Sequence, residues 1–219
     1  MDSLRLAPLI ALAITATLKG DSVFEIPVDI TALGSEPPRE VRALIREANA
    51  LWQPTGVRLT WMQSALSRAL PQPALRLEVV CDDSEETEAA RDGLLRLGST
   101  TFRDGTGVAD RRVVLSVKSV QRLVDTAGWS GRRVSDWPPA IREELMGRAL
   151  GRVVAHEIGH VLFAWRRHTP HGLMRAQFGA VQLLDLDRRP FAVPADLLPR
   201  LRAHLEQLTG RVTTLMAVE

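Results

Sequence analysis

At 219 residues with an apolar fraction of 45 %, the chain can bury one sizeable core and is too short to need a second domain. Its pI of 9.3 overstates its basicity: the formal net charge is +2, tyrosine is absent and Lys19 and Lys118 are the only lysines, so little titrates between neutrality and the arginines. Those arginines are scattered or paired, as at Arg111-Arg112 and Arg166-Arg167, which excludes the basic stripe of a nucleic-acid-binding face, and the lone Cys81 excludes an intrachain disulfide.

Taken in chain order, the first feature is an apolar run from Leu6 to Leu18 behind Arg5. That length suits the core of an export signal and is too short to span a bilayer. Residues 1–20 are therefore expected to be removed, leaving 21–219 as a single secreted or periplasmic domain. The competing reading is a buried first element of that domain.

Val23 to Ile30 reads as a strand, rich in branched apolar residues. Pro37 and Pro38 then open a helix with Val41, Leu44, Ile45, Ala48, Leu51 and Trp52 on one stripe, and Pro54 and Gly56 stop it. Val57 to Met62 alternates as a half-buried strand, and Leu75 to Cys81 is a further strand with Cys81 as a small buried hydrophobe. The acidic run Asp82 to Glu88 lacks the ligand spacing of a calcium loop and reads as solvated. The turn-rich stretch Arg103 to Gly107 leads into a strand over Arg111 to Val117. Gly128 to Pro139 reads as a loop whose Trp129 and Trp137 are either rim contacts or core anchors, with core the expected role.

Pro138-Pro139 can start a helix from about Ala140 that runs through His160 and packs Leu145, Leu150, Val153, Val154, Ile158, Val161 and Leu162 on the sheet. Gly159 is costly inside a helix and implies close approach of another backbone. Pro194 to Leu208 reads as a C-terminal amphipathic helix. The order of elements gives an α+β fold: a small twisted mixed sheet packed on a long N-terminal helix and on the histidine-bearing helix, with a helix at the end.

The chemistry concentrates in His156-Glu157-Ile158-Gly159-His160. Two histidines four residues apart share one helix face, where both rings can reach a single cation. The carboxylate beside the first can polarise a water held on that cation, the arrangement of a zinc-hydrolase helix. Four of the five histidines fall between His156 and His171, and Gly172-Leu173-Met174 follows at once.

A catalytic zinc commonly takes three protein ligands and leaves a fourth position for water. After His160 the candidates are His168, His171, or a carboxylate such as Asp185, Asp187 or Glu206. On a continued helix His168 would lie about 12 Å beyond His160 along the axis. The chain must therefore leave the helix soon after His160, and Pro170 favours this by disfavouring helix at Thr169.

In these residues the chain resembles the metzincin clan of zinc peptidases, most of all its small secreted bacterial members. The resemblance implies His156, His160 and His168 as zinc ligands, Glu157 as general base, and Met174 as the methionine of a turn beneath the metal. It implies a zinc-dependent endopeptidase acting on protein or peptide substrates. The clan's usual spacing places glycine seven and histidine ten residues after the first histidine; here those positions are Phe163 and Arg166, and His168 comes two residues later. With tyrosine absent, His171 or Arg175 is the expected partner for a developing oxyanion. Outside catalysis, the alternative is a binding domain that keeps the zinc helix as structure, against which Glu157 argues because a structural site needs no base.

Overall fold

The computed structural model describes residues 23–31, 38–63, 76–82, 95–103, 108–127 and 130–216. The expected leader through Gly20, the acidic run beyond Asp82, Trp129 and the turn at 104–107 lie outside them. Among the described residues no helix is long and apolar enough to cross a membrane.

The branched run after Val23 forms strand β1 (Phe24–Ile30). Pro38, extended at ψ 155°, leads into helix α1 (Arg39–Trp52), which buries Ala43, Leu44, Ala48, Leu51 and Trp52 along one face. Glu47 is buried on the same face, a charge among apolar neighbours that needs a partner. Gly56, in the left-handed region at φ 80°, turns the chain into β2 (Val57–Gln63). β2 runs parallel to β1, and β3 (Leu77–Asp82) flanks β1 on the other side, also parallel.

Several elements depart from the sequence reading. Gly98–Phe102 is a strand, β4, although Gly-Ser-Thr-Thr-Phe carries no apolar alternation to announce it. The next strand, β5 (Ala109–Ser116), ends one residue early, because Val117 opens helix α2 (Val117–Ala127) and seats Val120 and Val124 in the core one turn apart. β5 is parallel to β3, and β4 lies antiparallel on β5 at the sheet edge, giving the order β2-β1-β3-β5-β4. Cys81 packs half-buried against the core on β3, and Trp137 does the same from its loop.

Helix α3 (Pro139–Leu162) carries the two histidines of the motif. It packs on α1 along its length and touches β4 and β5. The close approach to α1 needs small residues: a Cβ on Gly151 would stand 2.7 Å from the Leu44 carbonyl oxygen and from Glu47 Cβ. One turn on, the Trp52 indole donates to the Ala155 carbonyl at 3.2 Å. Arg152, fully buried on α3, supplies the partner of Glu47: its Nε donates to Glu47 Oε1 at 2.9 Å. The remaining Arg152 donors reach the carbonyls of Gln182, Asp185 at 2.8 Å and Asp187 at 3.2 Å. One guanidinium thus ties α1, α3 and the segment after the short helix α4 (Ala180–Leu184) together.

α3 ends without a glycine. Ala164 takes the left-handed conformation at φ 47°, and the Trp165 N–H then donates to the His160 carbonyl at 3.1 Å. A left-handed alanine costs roughly 1–2 kcal/mol, more than the entropy glycine adds to the unfolded chain. Ala164→Gly should therefore stabilise the protein by about 0.5–1 kcal/mol, read as a higher denaturant midpoint; a lower midpoint would contradict this role. The final helix, α5 (Leu198–Met216), begins after a 3-10 turn at Ala195–Leu197 and extends past Leu208, with Leu201 and Leu205 in the core. The α+β architecture is the one expected: a five-stranded, mostly parallel mixed sheet with a long N-terminal helix, the histidine helix and a C-terminal helix.

Candidate metal centre

His156 and His160 project from one face of α3, and backbone carbonyls fix the tautomer of each ring. His156 Nδ1–H donates to the Leu173 carbonyl and His160 Nδ1–H to the Trp165 carbonyl, both at 2.7 Å. A carbonyl only accepts, so Nδ1 carries the proton and the neutral ring leaves Nε2 bare. The two Nε2 atoms face each other 3.1 Å apart. Burial drives the His156 pKa down to about 3, with His160 and His168 pushing the same way against the Leu173 hydrogen bond. Burial lowers His160 and His168 as well. At neutral pH two bare nitrogens therefore lie 3.1 Å apart with no proton between them, an arrangement that a cation relieves. Tetrahedral zinc with bonds of about 2.0–2.1 Å sets its nitrogen ligands about 3.3 Å apart, close to this spacing.

His168 arrives by the route its sequence position requires. The helix stops at Leu162, the chain runs without regular structure through 165–168, and Thr169 bridges Arg175, its N–H donating to the Met174 carbonyl at 2.8 Å. The His168 ring stacks on His156 with centroids 5.3 Å apart and meets His160 edge-on at 5.0 Å. One ligand nitrogen from each of the three rings lies within 4.8 Å of the others, the one such group among the described residues. The eight-residue gap from His160 is thus absorbed by a wider loop and not by extra helix.

The other candidates stay outside this group. His171 is exposed, and its carbonyl accepts from the Thr169 hydroxyl. Asp187 pairs with Arg189, and the Asp185 carboxylate accepts from the Asp187 N–H. Glu206 is exposed on α5 and belongs to no metal-ligating cluster. Met174 is fully buried against Gly159, where any Cβ would collide with its Sδ. The close approach that Gly159 implies is therefore real, but the neighbour is a methionine side chain and not a backbone. Gly172, at φ 77°, makes the turn that brings Leu173 and Met174 under α3.

Glu157 lies beside the histidines on the wall of a cavity of about 740 Å³ that His156 and His168 also line. Burial pushes its pKa up to about 7, opposed by the hydrogen bond from Thr100 and the charge of Arg96. Thr100 Oγ1 stands 3.0 Å from both Glu157 Oε2 and the Glu157 carbonyl oxygen. Leu97, Leu123, Val153 and Phe178 make the rest of the wall largely apolar. Phe178 is braced in a stack: Arg175 lies over it at 4.9 Å, Phe191 stacks beneath at 5.0 Å, and Arg152 covers Phe191 at 4.3 Å. Its edge meets His156 with centroids 5.6 Å apart.

His171 and Arg175, the expected oxyanion partners, are not on this wall; the cation that lines it is Arg96. Arg175 is engaged elsewhere, donating to Gln182 Oε1 at 2.6 Å. Thr100, Arg96 and Phe178 escape a sequence reading because none sits in a motif and β4 has no apolar period. Glu47 and Arg152 were within reach of it, since each falls on the inward face of its helix.

No protein-family model matches the chain, and neither does any curated protein sequence. Among solved structures, the chain is similar to archaemetzincin from Methanopyrus kandleri, with a TM-score of 0.48 at 13 % identity, covering 87 % of this chain and 99 % of that one.

Proposed function

We propose that the protein is a zinc-dependent endopeptidase in which His156, His160 and His168 hold the ion and Glu157 is the general base. The observation that carries this reading is the pair of bare Nε2 atoms 3.1 Å apart, each forced bare by its own backbone hydrogen bond, with a buried carboxylate on the next residue. Bound there, zinc supplies Lewis acidity, making a water more acidic and polarising a carbonyl oxygen.

The chain's own groups do the rest. Glu157 takes a proton from the attacking water and returns it to the leaving amine; a base with a pKa near the working pH does both well. The apolar cavity limits competing solvent and receives an apolar side chain of the substrate beside the scissile bond. Arg96, on the same wall, places positive charge toward the developing oxyanion. β4 ends the sheet at the cleft, where an edge strand can align an extended peptide by backbone pairing. A structural zinc site needs neither the buried base nor the cavity.

Proteolysis of an unstructured protein such as casein should vanish on chelation and return on adding zinc. Proteolysis that survives complete removal of metal would refute the proposal. We also propose that the segment through Gly20 is an export signal. N-terminal sequencing of exported protein should then start near Asp21, and an intact Met1 would contradict it.

A further inference from the structure

The inner face of β4 meets α3 residue by residue. Gly98 and Thr100, two residues apart, share one face, and past an irregularity in the pairing Phe102 also meets α3. A Cβ on Gly98 would stand 2.9 Å from Glu157 Cγ and 3.2 Å from its Oε1. Thr100 Oγ1 is 3.0 Å from Glu157 Oε2, and Phe102 meets the edge of the His160 ring with centroids 6.3 Å apart.

We propose that β4 fixes the working position of the Glu157 carboxylate: Thr100 anchors Oε2, and the missing side chain at Gly98 keeps Oε1 free to take a proton. The inference rests on reading Glu157 as the proton acceptor. A glutamate side chain has three rotatable bonds, and Arg96, on the same wall, acts on it through charge. Among the described residues Thr100 makes the one side-chain hydrogen bond to this carboxylate. The Glu157 carbonyl lies at the same 3.0 Å, so the single hydroxyl proton is shared between the two acceptors of one residue. Thr100 is thus a positioning residue, and its substitution should act on turnover and not on substrate or metal binding. A misplacement of about 1 Å at a reacting group can cost on the order of 100-fold in rate.

The test compares Thr100→Val, which keeps the shape and removes the hydroxyl, with Thr100→Ser, which restores it, in the zinc-loaded full chain. Thr100→Val should lower kcat by about 10- to 100-fold with KM and zinc content unchanged, and Thr100→Ser should recover most of that loss. Crystals of Thr100→Val should show the Glu157 carboxylate displaced from its position beside residue 100, a reading independent of turnover. Wild-type kcat with an unmoved carboxylate would overturn the proposal, as would loss of zinc in Thr100→Val or a serine variant as impaired as the valine one. Should Thr100→Val fail to fold, Gly98→Ala takes its place: reduced kcat with zinc retained supports the proposal, and unchanged kcat overturns it. Glu157→Gln separates the two levels of inference. If that variant cleaves as fast as wild type, the base assignment itself fails; if it is inactive while Thr100→Val is fully active, only the positioning role of β4 falls.

Discussion

His168→Ala is expected to lower zinc affinity at least about 10-fold, the lower bound set by what loss of a mere supporting hydrogen bond to a ligand costs. His156→Ala and His160→Ala should cost more, because their Nδ1–H bonds to Leu173 and Trp165 hold both rings in the metal-binding tautomer before any ion arrives. His168 is exposed and among the described residues has no such hydrogen bond holding its ring, so its share is smaller. His171→Ala should leave zinc affinity unchanged, since that residue lies outside the histidine group. Competition titrations against a chromogenic chelator would resolve all four variants. Equal affinity in His168→Ala and wild type would remove His168 from the site, and a loss in His171→Ala matching that of His168→Ala would contradict the geometry.

Glu47→Ala should destabilise the fold by about 3–5 kcal/mol, the usual consequence of leaving a buried charge without its partner. Arg152 is completely buried, and the Glu47 carboxylate is its counter-charge; Arg188 binds the second carboxylate oxygen at 2.8 Å from a more exposed position. The carbonyls that also accept from Arg152 satisfy its hydrogen bonds but do not neutralise it. Glu47→Met combined with Arg152→Met should cost less than the sum of the single changes, because the double variant strands no charge. Denaturant unfolding of the metal-free protein measures both. A loss below about 1 kcal/mol for Glu47→Ala would mean that the pair is solvated in the native protein.

The legible parts of the chain were those with a period. Stripes on α1 and α3, alternation in β2 and the branched runs of β1, β3 and β5 all carry apolar signals at helical or strand spacing. The histidine helix is legible because a four-residue spacing puts both rings on one helix face, and the break after it because Pro170 disfavours helix at Thr169. β4 was not legible: its five residues include a glycine and three hydroxyl side chains, and its place comes from pairing with β5 and packing on α3. The wall of the cavity was hidden for the same reason, since Leu97, Leu123 and Phe178 come from three separate segments. Ala164 hid the end of the helix by adopting a conformation normally left to glycine.

The central claim, that Glu157 works beside a three-histidine zinc site, is tested most directly by metal content and peptide hydrolysis measured together on wild type and Glu157→Gln. About one zinc per chain is expected in both proteins, with hydrolysis in the variant lower by on the order of 100- to 10,000-fold, because the ligands remain while the base is gone. A Glu157→Gln protein that holds its zinc and cleaves peptides at the wild-type rate would contradict it.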